Sequence, residues 1–177
     1  MCKCAKRVFH IRSKLEPLGQ TVIESLLDVV LLRKHKQYTW SVMRILVIDA
    51  QGGGIGKQLV FALKKSFPDS IITAVGTNSA ATSAMLKAGA DNAATGENAV
   101  IVGCRKTDII VGPIGIVISD SLYGEITPSM AIAVGRSEAK RILVPINHCD
   151  NVVVGVKNLN ISSLIADVID KVREVCF

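Results

Sequence analysis

Downstream of Met43, short apolar runs alternate with longer segments in which apolar residues recur at helical spacing. Short runs rich in Val and Ile predict buried strands, and apolar residues three or four positions apart predict amphipathic helices. The strands predicted in this way are Arg44–Asp49, Ser70–Gly76, Asp108–Gly112, Lys140–Ile146 and Val152–Val156. The predicted helices are Ile55–Phe67, Ser79–Lys87, a helix that begins at Thr127-Pro128, and Ile161–Val175. Residues 98–104 fit either a strand or a short helix.

Residues with strong local preferences define the ends of several elements. Ser79 can cap the second helix, and Gly89 provides a left-handed stop after it. Thr127 is a good cap for the third helix, with Pro128 at its first position. The polar turn at residues 148–151 predicts that the last two strands pair as a hairpin.

Strands that alternate with helices indicate an α/β domain over residues 43–177. We expect a Rossmann-like, doubly wound, mostly parallel sheet with helices on both faces and a C-terminal hairpin plus helix. In such sheets, ligands bind beyond the carboxyl ends of the strands, near the point where the strand order reverses. Polar residues directly after strands are therefore the first candidates for a binding site.

Positive charge is concentrated in the N-terminal extension, residues 1–42, with 8 Lys/Arg against 3 Asp/Glu. The remaining 135 residues carry 13 and 12, so the basic character does not belong to the α/β domain and gives no support for nucleic-acid binding. The extension contains an apolar run with two acidic residues, which is too short to span a membrane. Three interpretations stay open: a docking or membrane-surface helix, an extra helix packed on the domain, or a stretch upstream of a native start at Met43, which we favour.

Five cysteines without a repeated spacing predict free thiols in a reducing compartment rather than a disulfide framework or a metal site. No secretory cleavage site follows the apolar run of the extension. A cytoplasmic protein without a bound metal is expected.

The stretch VIDAQGGGIGKQLV resembles a phosphate-binding loop between a strand and a helix. It matches two standard loops only in part: Lys57 takes the place of the third glycine of G-x-G-x-x-G, and Gln58 replaces the Ser/Thr of a P-loop. The loop still offers backbone N–H groups at a helix N-terminus, with a lysine in the first turn, which favours an anion. Its candidate ligand-binding residues are Gly52, Gly53, Gly54, Ile55, Gly56 and Lys57.

The end of the second strand indicates which nucleotide fits. NAD sites have an acidic residue there, whereas Thr77, Asn78 and Ser79 follow the strand in this chain. An acid-free strand end favours NADP as the leading cofactor, or another nucleotide. Gly112 and Pro113, after the third predicted strand, are further candidates for contact with the ligand.

Three functions stay open at this point. The leading one is a nucleotide or dinucleotide-binding protein with a small anionic ligand. The second is an enzyme that acts on a small phosphorylated substrate, with Asp49, Glu97 or Asp120 as the acid–base group. The third is a non-catalytic regulatory or interaction module, with the apolar final helix as a candidate homo-oligomer surface.

Several blocks of the chain together resemble a known family. They are DAQGGGIGK, GTNSAATSAMLKAGAD, ATGENA, DIIVGPIGI, GEITP, VPIN and VGVKN. The resemblance is to an uncharacterised bacterial family of small proteins, described as a domain of unknown function, and it covers essentially all of residues 43–177. Members typically begin near the methionine that matches Met43. The resemblance implies a Rossmann-like fold, carries no established activity, and does not include residues 1–42.

Overall fold

The computed structural model describes residues 42–146, 152–156 and 160–176. Within them, five parallel strands form one sheet in the order β3-β2-β1-β4-β5. The strands are β1 (Arg44–Asp49), β2 (Ile71–Gly76), β3 (Asn92–Thr95), β4 (Ile109–Pro113) and β5 (Lys140–Val144). The helices are α1 (Gly54–Ser66), α2 (Ser79–Lys87), α3 (Glu97–Cys104), α4 (Pro128–Arg136) and α5 (Ile161–Cys176), with a 3₁₀ turn at Ile114–Val117.

Both faces of the central strand are buried, as its continuous apolar sequence requires. Ile45 and Val47 belong to a core that they share with α1, α2 and α5. Leu46 and Ile48 belong to a second core on the other face, shared with α3 and α4. β1 lies between β2 and β4 at the centre of the sheet. Its side chains therefore pack against the helices on both faces.

The chain winds the sheet in two directions from its centre. It runs from β1 through α1, β2 and α2 to β3, and α3 then brings it back across the sheet to β4 on the other side of β1. The order of strands therefore reverses between β1 and β4. This doubly wound arrangement confirms the predicted Rossmann-like α/β class and locates its switch point beside the glycine loop.

Several local predictions are corrected. The segment predicted as ambiguous is helix α3, and the short edge strand β3 was not predicted. The side chain that caps α2 belongs to Asn78, whose Oδ1 accepts a hydrogen bond from the N–H of Ala81, and not to Ser79. Gly89 has the expected left-handed conformation, with φ of 104°.

The predicted C-terminal hairpin is wrong. Residues Val152–Val156 form a turn rather than a strand, and within the described part of the chain β5 pairs with β4 alone. Val152 and Val154 are exposed, so their β-branched side chains are not part of a buried sheet. The predicted turn at residues 148–151 lies outside the described residues.

Candidate functional site

The glycine loop joins the end of β1 to the start of α1 by a tight turn. The N–H of Gly53 donates a hydrogen bond of 3.1 Å to the carbonyl oxygen of Ala50. Gln51 and Gly53 have positive φ values of 54° and 68°. The turn leaves Gly52 and Gly54 exposed at the carboxyl edge of the sheet.

Asp49 lies beneath the loop and stabilises it. Its side chain is buried, Oδ1 accepts from the N–H of Ala50 at 2.8 Å, and Oδ2 accepts from the N–H of Gly56 at 2.6 Å. Burial raises the pKa of Asp49 above its ordinary value, although hydrogen bonds from Gly56, Ala50 and Ile55 counteract the effect and the negative charge of Glu125 adds to it. The aspartate thus occupies part of the helix N-terminus that the sequence assigned to an anion.

The glycines of the loop fall into two groups. A Cβ on Gly53 would lie 2.7 Å from the Cα of Ala81, and one on Gly56 would lie 2.5 Å from Sδ of Met85. Gly53 is therefore required by packing on α2, and Gly56 by packing against Asp49, whose Cβ would lie 2.7 Å from the added Cβ. Gly52 and Gly54 differ, because they lack a positive φ and a Cβ on either would have no atom of the described residues within 4 Å.

The N–H groups of Gly52 and Gly54 are also available. Among the described residues, neither donates a backbone hydrogen bond to a protein acceptor. An N–H group without a protein partner must be hydrated or bind a ligand. Open space and two available donors coincide at these two glycines.

A cavity of about 290 Å³ lies beside the loop, between the carboxyl ends of β1 and β4 and the start of α5. Its walls are polar on the loop side and apolar on the opposite side. The lining residues are Asp49, Ala50, Gln51, Gly52, Gly54, Ile55, Gln58, Pro113, Leu122, Ile146 and Ile161. It thus coincides with the switch point, where open α/β sheets bind their ligands.

Gln51, one of the residues that line this cavity, carries an unusual polar group. Its side-chain Nε2 is buried and has no hydrogen-bond partner within the described part of the chain. A buried amide nitrogen without an acceptor costs about 1–3 kcal/mol, so buried polar groups in native proteins are nearly always paired. Gln51 therefore carries an unpaired amide nitrogen beneath the surface of the loop.

Glu125 reaches the loop from the segment between the 3₁₀ turn and α4. Its Oε2 accepts hydrogen bonds from the N–H of Gln51 at 3.0 Å, from Nδ2 of Asn78 at 2.9 Å, and from the hydroxyl of Thr77. Partial burial opposes the ionisation of Glu125, but the hydrogen bonds from Thr77, Gln51 and Asn78 outweigh it and hold the pKa below its ordinary value. The carboxylate therefore lies at the end of β2.

The polar residues after β2 have defined partners. Thr77 and Asn78 both donate to Glu125, and Nδ2 of Asn78 also lies 2.9 Å from the carbonyl oxygen of Gln51. These contacts connect the end of β2 to the glycine loop. Ser79, the third predicted residue here, is exposed in the first turn of α2.

The other predicted ligand-binding residues differ in position. Ile55 and Pro113 line the cavity. Gly112 has a packing role, because a Cβ there would lie 2.5 Å from the carbonyl oxygen of Ile48 in the neighbouring strand. Lys57 is exposed in the first turn of α1, and its Nζ forms no ion pair with any of the described residues.

Two of the predicted acid–base candidates lie elsewhere. Glu97 is in the first turn of α3, and its Oε2 accepts a hydrogen bond from the hydroxyl of Thr127, the cap of α4. Asp120 is exposed, and its backbone N–H donates a hydrogen bond to the carbonyl oxygen of Ile126. Besides that of Asp49, the carboxylate that reaches the loop is that of Glu125.

The other cavities and side-chain groups give less support for a functional site. A larger cavity of about 940 Å³ lies at the amino edge of the sheet, where Arg44 forms an ion pair with Asp108. Cys104, a free and buried cysteine, also lines this cavity. Burial raises the pKa of its thiol to about 11, so the thiol is a poor nucleophile at neutral pH. In the described ranges, no group of His, Cys, Asp and Glu side chains is arranged to hold a metal ion.

No helix in the described part of the chain combines the length and the apolar character that crossing a membrane requires. Comparison with curated proteins and with solved structures finds no match. A family model does match, over residues 44–176, which is most of the chain and includes the glycine loop and the segment that carries Glu125. The chain therefore belongs to the family described as a domain of unknown function (DUF3842).

Proposed function

We propose that the domain binds a nucleotide or dinucleotide at the carboxyl edge of the sheet. The observation that carries the proposal is the pair Gly52 and Gly54, which neither packing nor backbone conformation requires to be glycine. Glycine at such positions lets the backbone of a loop approach a ligand closely. A phosphate would accept hydrogen bonds from their two N–H groups.

The cavity supplies the second part of the site. At about 290 Å³, it is near the lower limit for small-molecule pockets and suits one portion of a nucleotide, such as its base or a nicotinamide ring. Leu122, Ile146 and Ile161 offer an apolar wall to a planar ring.

Asp49 and Lys57 interact with different parts of the helix N-terminus. Asp49 already neutralises the buried amides of α1, so the phosphate would meet the outer N–H groups and the exposed charge of Lys57. A cation in the first turn of a helix is slightly unfavourable by itself. An anionic ligand reverses that effect, which gives the lysine a function.

The other candidate functions have less support. An enzyme that acts on a phosphorylated substrate needs a carboxylate free to take a proton, but both oxygens of Asp49 accept main-chain hydrogen bonds. Glu97 is engaged by Thr127. Catalysis and a regulatory role therefore stay predictions, and no observation favours either over ligand binding.

Isothermal titration of the full chain with AMP, ADP, NAD⁺ and NADP⁺ tests the proposal. We expect saturable binding of at least one of them, and a loss of at least about tenfold in affinity for Gly54→Ala. Gly135→Ala is the matched control, because Gly135 in α4 also has open space around its Cα and lies away from the loop. Absence of binding by all four compounds would overturn the proposal.

A further inference from the structure

The end of β2 lacks an acidic residue of its own, but Glu125 brings a carboxylate to it from 47 residues beyond Asn78. Its three hydrogen bonds from the loop and the strand end all fall on Oε2. Within the described residues, Oε1 keeps its capacity to accept. The surroundings thus fix the position of the carboxylate and leave one oxygen for a ligand.

The segment that carries Glu125 is held in place on both sides. Leu122 and Ile126 are buried in the same core, and Oγ of Ser121 donates a 2.6 Å hydrogen bond to the carbonyl oxygen of Gly115. This anchoring indicates a fixed part of the site rather than a displaceable lid.

The backbone of the same segment is strained. Asp120, Leu122 and Tyr123 have φ values of 61°, 55° and 60°, a left-handed conformation that is unfavourable for residues other than glycine. Strain of this kind persists where packing enforces it and is concentrated at functional sites. The strained turn directly precedes Glu125, and its conformation places the side chain of Glu125 at the loop.

Within the described ranges, no neighbouring cation neutralises the charge of Glu125. Its hydrogen-bond donors Thr77, Asn78 and the main chain of Gln51 are neutral, and no described Lys or Arg forms an ion pair with it. The nearby Asp49 carries a further negative charge when ionised. A phosphate placed against this end of β2 would be repelled, whereas hydroxyl groups would find an acceptor.

From this arrangement we infer that Glu125 determines which nucleotide the site accepts: it selects a ribose with free hydroxyl groups and rejects a 2′-phosphate. This inference rests on the proposed nucleotide site. In dinucleotide-binding folds an acidic residue at the end of the second strand accepts the ribose hydroxyls. Here a loop beyond β4 supplies the carboxylate. The lack of an acidic residue in the sequence after β2 therefore no longer favours NADP.

The test compares two probes that differ only in the 2′-phosphate, AMP and adenosine 2′,5′-bisphosphate, by titration calorimetry on the full chain. The wild-type protein should bind AMP at least about tenfold more tightly. In Glu125→Gln the ratio of the two affinities should fall towards one, mainly because the bisphosphate binds better. Glu138→Gln, an exposed carboxylate at the opposite edge, should leave the ratio unchanged.

The outcomes separate this inference from the proposed function. If neither probe binds, and ADP, NAD⁺ and NADP⁺ do not bind either, the proposed function and this inference fail together. If the wild type binds the bisphosphate as tightly as AMP, or more tightly, the nucleotide site stands and the role of Glu125 is refuted. That comparison uses the wild-type protein alone. It can therefore refute the inference even if Glu125→Gln does not fold. A folded Glu125→Gln with an unchanged ratio also refutes it.

Discussion

The side-chain carboxylate of Glu125 and the side-chain amide of Asn78 lie 2.9 Å apart, although 47 residues separate them in the chain. Asn78 also caps α2 through its Oδ1 and donates to the carbonyl oxygen of Gln51. One asparagine therefore connects three parts of the carboxyl edge: the first turn of a helix, the glycine loop and the segment before α4. The site is assembled from loops that follow three different strands.

Gly54→Ala should separate binding from stability. Because Gly54 lacks a positive φ and has open space for a Cβ, alanine should raise the free energy of unfolding by about 0.4–1 kcal/mol. The same methyl group would block the approach of a phosphate. Gly53→Ala is the contrasting variant: its φ of 68° and the 2.7 Å contact with Ala81 should destabilise the protein clearly. Urea denaturation measures both, and a destabilised Gly54→Ala would contradict this account of the loop.

Lys57→Ala should weaken ligand binding without weakening the fold. Removal of a cation from the first turn of α1 should leave the free energy of unfolding unchanged or raise it by a few tenths of a kcal/mol. Affinity for an anionic nucleotide should fall by about 1.5–3 kcal/mol, as for a hydrogen bond to a charged group.

Lys65→Ala is the control for this variant, since Lys65 is exposed in the last turn of the same helix, where a cation is favourable. It should lower stability slightly and leave binding unaffected. A Lys57→Ala protein that is less stable but binds normally would show that the lysine has a structural role.

Asp49→Ala should destabilise the free protein. The substitution leaves the N–H groups of Ala50 and Gly56 without their acceptor beneath the loop. Each unsatisfied buried donor costs about 1–3 kcal/mol, partly offset because a buried charge is removed. We expect a net loss of about 2–3 kcal/mol in the free energy of unfolding, measured by chemical denaturation. A variant as stable as the wild type would mean that these hydrogen bonds contribute little.

Acid should destabilise the protein partly through Glu125. The folded-state pKa values of Glu125 and Asp108 are held below their ordinary values, the latter by the side-chain hydrogen bond and charge of Arg44. Such groups stabilise the fold above the pKa of the unfolded chain, and this contribution is lost as the pH falls through roughly 4 towards the folded-state values. Asp49 acts in the opposite sense, because its pKa is raised and its contribution is lost as the pH rises.

The pH dependence of the free energy of unfolding measures this effect. Between about pH 5 and 3, the wild type should lose stability more steeply than Glu125→Gln, which has no carboxyl group to protonate at this position. Asp108→Asn should reduce the slope by the same mechanism. Equal slopes for wild type and Glu125→Gln would contradict the assignment of a lowered pKa to Glu125.

Much of the fold could be predicted because burial on two faces imposes a simple pattern. Residues 45–48 are apolar without interruption, and the structure buries them in both cores. The edge strand Asn92–Thr95 was missed because it is short, and two of its four residues are polar. The hairpin was predicted from a β-branched run, but Val152–Val156 is exposed, so local preference was overridden by the rest of the chain.

The candidate site could be predicted only where one segment carries it. The glycine loop is contiguous, and its position after β1 followed from the pattern of the sequence. The approach of Glu125 could not be inferred, since it depends on left-handed Leu122 and Tyr123, a conformation that large side chains disfavour. The difference between Gly52 and Gly53 likewise depends on the position of α2, which sequence does not specify.

The most direct test of the nucleotide site is an NMR titration of the ¹⁵N-labelled full chain with ADP. If the phosphate binds at this loop, the backbone amide signals of Gly52 and Gly54 should shift progressively and saturate, because their N–H groups would donate to it. Signals at the amino edge, such as those of Arg105 and Arg136, should stay in place. Shifts confined to that amino edge, or no shift of the glycine amides at millimolar ADP, would contradict the central claim.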